Sequence, residues 1–257
     1  MSVAALLLGD SRFPAGGHAH SGGVEPAVTA RTVTDLATLD AFLRGRLRTA
    51  GLVAAGIAGA ACAHASAGHS AGSEGRGASA NLARDDYWAL LDAEVDARIP
   101  SPAQREASRR QGRALVRAAR VAWPEAAGLA ALAPSATTRE AGAPSGAGRS
   151  RATGGPHHAI VLGAAAAAAG CAPVEAARIA AYQAVAGPVS AAVRLLALDP
   201  MRATGVLARL AAEIDQCAEA GAAFADGPLS DLPCASAPAL DLLAEAHINA
   251  EVRLFES

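Results

Sequence analysis

Residues 13–25 read FPAGGHAHSGGVE: Gly16, Gly17, Gly22 and Gly23 bracket His18 and His20, and Glu25 closes the run. Three chemistries can be asked of this stretch. As a phosphate loop it has a Gly-x-x-x-x-Gly frame from Gly17 to Gly22. Gly23 and Val24, however, stand where that loop needs a lysine and a hydroxyl, so neither the phosphate charge nor a magnesium ion is met. As a metal site, His18 and His20 can turn both imidazoles to one side on an extended backbone, with Glu25 as a third ligand. A helical metal-binding enzyme using His18, His20 and Glu25 is the alternative reading that follows. As a shaped turn, the glycines allow positive dihedrals and close backbone approach, while His20 makes an ordinary hydrogen bond. The residue types favour the turn.

A second concentration of charge lies at Arg105, Arg109, Arg113 and Arg117, spaced by four, with Arg110 and Arg120 beside them. Such a ridge can meet duplex phosphates, a protein partner or solvent. The net charge is −2, which offers no wider basic footprint, so neither nucleic acid nor an anionic membrane is an expected partner. The chain contains no lysine, which excludes a lysine Schiff base and a lysine-dependent nucleotide loop. Cys62, Cys171, Cys217 and Cys234 are far apart and read as reduced, mostly buried thiols of a cytoplasmic protein. No His-Glu-x-x-His pair or paired-carboxylate signature accompanies these features, and no catalytic residue is nominated.

The elements that must position these residues are helical. Of 257 residues, 52% are apolar but only 3% aromatic, so alanine dominates and closely packed helices are expected. Thr34-Asp35 caps a long helical pattern, and Ser101-Pro102 pairs an N-cap with proline at the first helical position. Further helices start near residues 85, 157, 173, 200 and 238, and Pro188 is expected to kink or split the helix that holds it. Residues 66–80 and 133–156 are Gly/Ser/Pro-rich and are predicted to be flexible loops within one domain. The opening residues lack the basic lead of a secretory signal, and the apolar runs 51–63 and 159–173 are too short to span a bilayer. The predicted architecture is all-α: a single helical-bundle domain over residues 1–257, with a partner-binding tail at about 237–257.

Five blocks in order add a resemblance. Residues 10–25 (DSRFPAGGHAHSGGVE), 108–119 (SRRQGRALVRAA), 157–170 (HHAIVLGAAAAAAG), 180–200 (AAYQAVAGPVSAAVRLLALDP) and the ending, with His247 and then RLFES, together resemble the UreF family of urease accessory proteins. His18 falls where that family commonly carries an aromatic residue. The resemblance implies a cytoplasmic, all-helical protein, homodimeric and without catalysis of its own. It also implies partners: UreD (UreH in some species), the GTPase UreG and urease apoprotein. No cofactor is expected to bind this chain tightly; the assembled complex handles nickel, and UreG binds the GTP.

Within that expectation, Glu25 either accepts charge-assisted bonds from a partner's arginine or is satisfied by the dipole of its own helix. Arg178 and Tyr182, four apart, share a helix face, and by resemblance that face recruits UreG. Arg194 supports the fold or an interface through its planar guanidinium. Leu254 and Phe255 form an apolar pair that either folds back or waits for a partner. The expectation is a tail ordered by UreD, with Arg253 and Phe255 as anchors.

Overall fold

The computed structural model describes residues 3–10, 12–14, 17, 20–70, 78–133, 154–250 and 254–255, with backbone alone at 68–70 and 78–85. Among these residues there are helices and no strand. In chain order the helices are α1 Val3–Gly9, α2 Val24–Thr29, α3 Leu36–Arg46, α4 Leu52–Ser70, α5 Ala78–Arg98 and α6 Pro102–Ala122. They continue with α7 Ala127–Ala131, α8 His158–Ala168, α9 Pro173–Leu196, α10 Pro200–Arg209, α11 Ala211–Ala222 and α12 Pro238–Ile248. A π-turn, Leu47–Gly51, joins α3 to α4 without a break.

Local chemistry sets the predicted starts. Asp35 accepts from the Thr38 amide in a capping box, and Ser101 accepts from the Gln104 amide ahead of Pro102. Helix α8 is apolar on all sides and buries Ile160, Val161, Leu162, Ala164, Ala165 and Ala166, which makes it a central helix. It lies against α4 so closely that a Cβ on Gly163 would stand 2.3 Å from the Ala58 carbonyl oxygen. Small residues on both helices are what permit that approach. A second core cluster gathers α3, α9, α10 and α11 around Leu39, Leu43, Ala181, Val185, Val206 and Leu210.

Three expectations about the elements are revised. Helix α9 runs unbroken through Pro188. Proline removes the amide that would bond the Ala184 carbonyl, and Arg46 Nε, from α3, donates to that oxygen at 2.9 Å instead. Residues 66–70 and 78–80, predicted as loop, are helical, while 71–77 lie outside the described residues, as do 134–153 of the second loop. The apolar run at 51–63 belongs to a longer helix. By length and composition, Leu36–Ala67 and Pro173–Leu196 are each able to cross a membrane, yet they pack against each other and α8 at the centre of the fold.

Candidate functional site

The glycine run builds a turn that aims Glu25. Gly22 (φ 59°) and Gly23 (φ 87°) both occupy the left-handed region, and Gly23 is the N-cap of α2. A Cβ on Gly22 would also meet Pro188 Cγ at 2.9 Å, so the turn is pressed against the proline of α9. Glu25 follows in the first turn of α2 and is only 6% exposed. Its Oε1 accepts the Leu254 amide at 2.8 Å and its Oε2 the Phe255 amide at 2.9 Å. His247 Nε2 stands 3.3 Å from Oε2 and 3.2 Å from the Phe255 carbonyl oxygen. Both neighbours are acceptors, so Nε2 carries the proton.

Glu25 therefore clasps the tail of its own chain, and both its oxygens are occupied. Within the chain its counterparts are these tail amides. The terminal apolar pair divides: Phe255 is 6% exposed and joins the core cluster with Val24, Val185 and Val189, whereas Leu254 is 72% exposed. The Arg194 guanidinium lies 4.2 Å over the Phe255 ring, a cation–π contact that supports the docked tail. Arg253 lies outside the described residues. Helix α12, which carries His247, is tied to α6 by Glu245, whose carboxylate accepts from the Ser101 hydroxyl and, at 3.0 Å, from the Ala103 amide.

The outer face of α9 has a different character. Arg178 Nε donates to Asp215 Oδ1 on α11 at 2.6 Å, which fixes its direction, and Tyr182 one turn later is 40% exposed. The next residue, Gln183, donates to the Leu8 carbonyl oxygen at 3.0 Å and so holds α1 against α9. Helix α1 leaves Val3, Leu6 and Leu7 exposed. Tyr182 and Arg194 also line a cleft of 810 Å³ whose walls include His20, Gly22, Gly23 and His158. Tyr182 and Arg194 of α9, the glycine turn and Leu240 of α12 thus line one cleft.

Two of the three residues of the metal reading are described. Glu25 is turned to the tail, and His20 lines the cleft, half-buried. His18 and Gly16 lie outside the described residues; Gly17 lies in the turn, its carbonyl accepting the His20 amide at 3.3 Å. Burial, with His20 nearby, pushes the His158 pKa down to about 4. Asp92, Asp96 and His157 do converge within 4.8 Å. Arg109 already supplies the positive charge there, with Nη2 2.9 Å from Asp92 and 2.7 Å from Asp96. His157 Nε2 donates to Asp96 at 2.9 Å, since a carboxylate only accepts, and Nδ1 meets the Ser108 hydroxyl at 3.0 Å. Burial first, then the Arg109 charge, lowers the His157 pKa.

This network also corrects the arginine ridge. Arg105 donates to the Ile99 and Pro100 carbonyls, Arg109 is buried, and Arg113 bonds the Gly154 carbonyl. The spacing of four is used to close the fold, while Arg110, Arg117 and Arg120 face outward. Two further arginines escaped sequence reasoning. Arg98 gathers the carbonyls of Leu229, Ser230, Leu232 and Pro233, and Arg46 serves Ala184; neither sits in a motif. Burial raises the thiol pKa of Cys62 to about 12 and of Cys217 to about 11, which disfavours their thiolates, and Cys234 alone of the four is exposed.

A family model described as UreF matches residues 33–211. The chain belongs to the UreF family. Proteins named urease accessory protein UreF align with it almost end to end. The one from Mycolicibacterium vanbaalenii is 43% identical over 254 residues, 98% of this chain and 97% of that protein. Those from Mycobacterium tuberculosis H37Rv and Mycobacterium marinum are 42% and 41% identical, covering 100% and 98% of this chain and 99% and 97% of their own lengths. The UreF match of the family model stops short of the glycine turn and the tail, but these relatives extend across both. Their name places this all-helical member among urease accessory proteins.

Proposed function

We propose that this UreF-family protein acts in urease maturation as a non-catalytic scaffold. It joins UreD (UreH) and the GTPase UreG on urease apoprotein, and the assembly inserts nickel at the expense of GTP hydrolysed by UreG. The protein works in the cytoplasm as a homodimer and binds no tight cofactor of its own. One observation carries the reading: near full-length similarity to proteins named urease accessory protein UreF. Two features of the surface support it. The α9 face presents Tyr182, with Arg178 fixed beside it, as an aromatic and arginine pair of the kind that anchors protein interfaces. The docked tail presents Leu254 outward, and α12 presents Leu242, 72% exposed, so the end of the chain offers apolar area to a partner.

In this reading UreG meets the Arg178–Tyr182 face and UreD meets the tail, with Arg253 as an anchor, Leu254 exposed to it and Phe255 as the internal pin. The test is reconstitution from urease apoprotein, nickel, GTP, UreD and UreG, with and without this chain. Activation is expected only in its presence, and equal urease activity in both tubes overturns the reading. Tyr182→Asp places a charge on the exposed face and should abolish UreG capture while the helical circular-dichroism signal is unchanged.

A further inference from the structure

Most buried or half-buried arginines of this fold that lie outside the tail meet a carboxylate. Arg44 pairs with Asp40 and Glu213, Arg98 with Glu94, Arg109 with Asp92 and Asp96, and Arg178 with Asp215. Arg46 differs. It is half-buried at the end of α3, and its Nε is committed to the Ala184 carbonyl that Pro188 leaves without an amide. Among the described residues no carboxylate lies within ion-pair distance of it, and burial alone lowers its pKa, to about 10. A guanidinium withdrawn from water without a counter-charge is costly, and the charge remains because arginine is too basic to release its proton near neutral pH.

The geometry shows where a counter-charge can enter. The Nε contact fixes the plane and aim of the group, which leaves Nη1 and Nη2 as an open fork. Nη2 lies 3.3 Å from the point where a Cβ on Gly22 would stand, so the fork borders the side-chain-free wall of the glycine turn. Arg46, Gly22, Gly23 and Pro188 all line the 810 Å³ cleft, whose other walls include Ile57 and Leu240. Two parallel N–H donors of fixed spacing match the two oxygens of a carboxylate. Leu240, 3.4 Å from where a Cβ on Gly23 would stand, gives the turn beside the fork an apolar neighbour, and Tyr182 at the same cleft offers a further contact.

We infer that Arg46 is a carboxylate-recognition site, which receives an Asp or Glu side chain of a docking polypeptide in the cleft beside the Gly22–Gly23 turn. The polypeptide nature of the ligand rests on the scaffold reading above; the open fork does not. The glycine run then has a second use, since it keeps the entrance to the fork clear.

The experiment needs neither urease nor its maturation partners, so its outcome is separate from that of the reconstitution. The full chain, labelled with nitrogen-15, is titrated with N-acetyl-glutamate N-methylamide, a glutamate side chain whose ends are blocked, while the backbone amide resonances of Gly22 and Gly23 beside the fork are followed in every protein, and the Arg46 Nε–H in the wild type. Sodium chloride and inorganic phosphate at equal ionic strength are the comparison arms. A saturable shift with a dissociation constant in about the millimolar range is expected. It should be lost in Arg46→Gln and weakened about tenfold in Arg46→Lys, which keeps the charge but not the fork. A shift that grows linearly and matches chloride overturns the inference, as does saturation by phosphate but not by the glutamyl probe. Circular dichroism reports whether Arg46→Gln is folded, and the wild-type titration decides the matter even if it is not.

Discussion

Replacing Glu25 by glutamine tests the clasp on the C-terminal tail with a nearly isosteric change. The carboxylate accepts two backbone amides, at 2.8 and 2.9 Å, and faces His247 Nε2 as a third donor. Glutamine keeps one acceptor oxygen, while its amino group is turned on a backbone N–H that needs an acceptor. A hydrogen bond to a charged group contributes about 1.5–3 kcal/mol, and a buried donor left unsatisfied adds about 1–3 kcal/mol. Allowing for partial rearrangement, Glu25→Gln should weaken tail docking by about 3 kcal/mol, roughly a hundredfold in the docked-to-released ratio. The measurement is amide hydrogen exchange at Phe255 in the isolated protein, where release exposes its N–H without unfolding the helices. About a hundredfold faster exchange is expected in the variant, with the helical circular-dichroism signal intact. Equal rates in the two proteins, or a wild-type Phe255 amide that exchanges at the rate of an unstructured peptide, refute the reasoning. Adding UreD to the wild type then asks whether a partner protects the released tail or only the docked one.

Other expectations follow from the same geometry. Gly22→Ala forces a left-handed φ on a side chain and sets its Cβ 2.9 Å from Pro188 Cγ, so thermal unfolding should show a loss of about 2–4 kcal/mol. Arg109→Ala leaves Asp92 and Asp96 without their cation and should cost about 3–5 kcal/mol in urea melts, whereas Arg117→Ala, on the exposed side, should stay within about 0.5 kcal/mol. Both His157 and His158 have folded pKa values below the unfolded value of about 6.5, so the unfolded chain takes up protons that the native state refuses. Stability is fully present above that pH and falls as pH drops toward about 4. Urea melts at pH 7 and 5 should differ by up to about 2 kcal/mol from His158 alone, and His158→Gln should flatten that part of the profile.

Much of the fold could be read from the chain because its causes are local. Asp35 with Thr38, and Ser101 with Pro102, declare helix starts within four residues, and alanine content declares close packing. The glycine turn was legible for the same reason: a positive φ at Gly22 and Gly23 is a property of the residue itself. What escaped was set by groups distant in sequence. Pro188 reads as a helix breaker until Arg46, 138 residues before Ala184, supplies the missing donor. The arginine ridge reads as a surface until Asp92 and Asp96 arrive from the preceding helix and His157 from beyond the 134–153 segment. Glu25 reads as a partner contact or a helix-dipole carboxylate, because the amides it accepts lie 229 and 230 residues later. Spacing within a helix reveals which side chains share a face, but not what another helix brings to it.

The clasp between Glu25 and Phe255 also sets an order of events during synthesis. At about 5–20 residues per second, the 230 residues that separate them take roughly 10 to 50 s to translate. The glutamate is made long before the ring exists, but the α9 wall of the niche, Val185 and Val189, follows much later in the chain. Only from the synthesis of that wall until the ring arrives, roughly 3 to 14 s at the same rate, does the nascent protein carry the apolar-walled place unfilled. The chain's own C-terminus must later win that place by proximity rather than by priority.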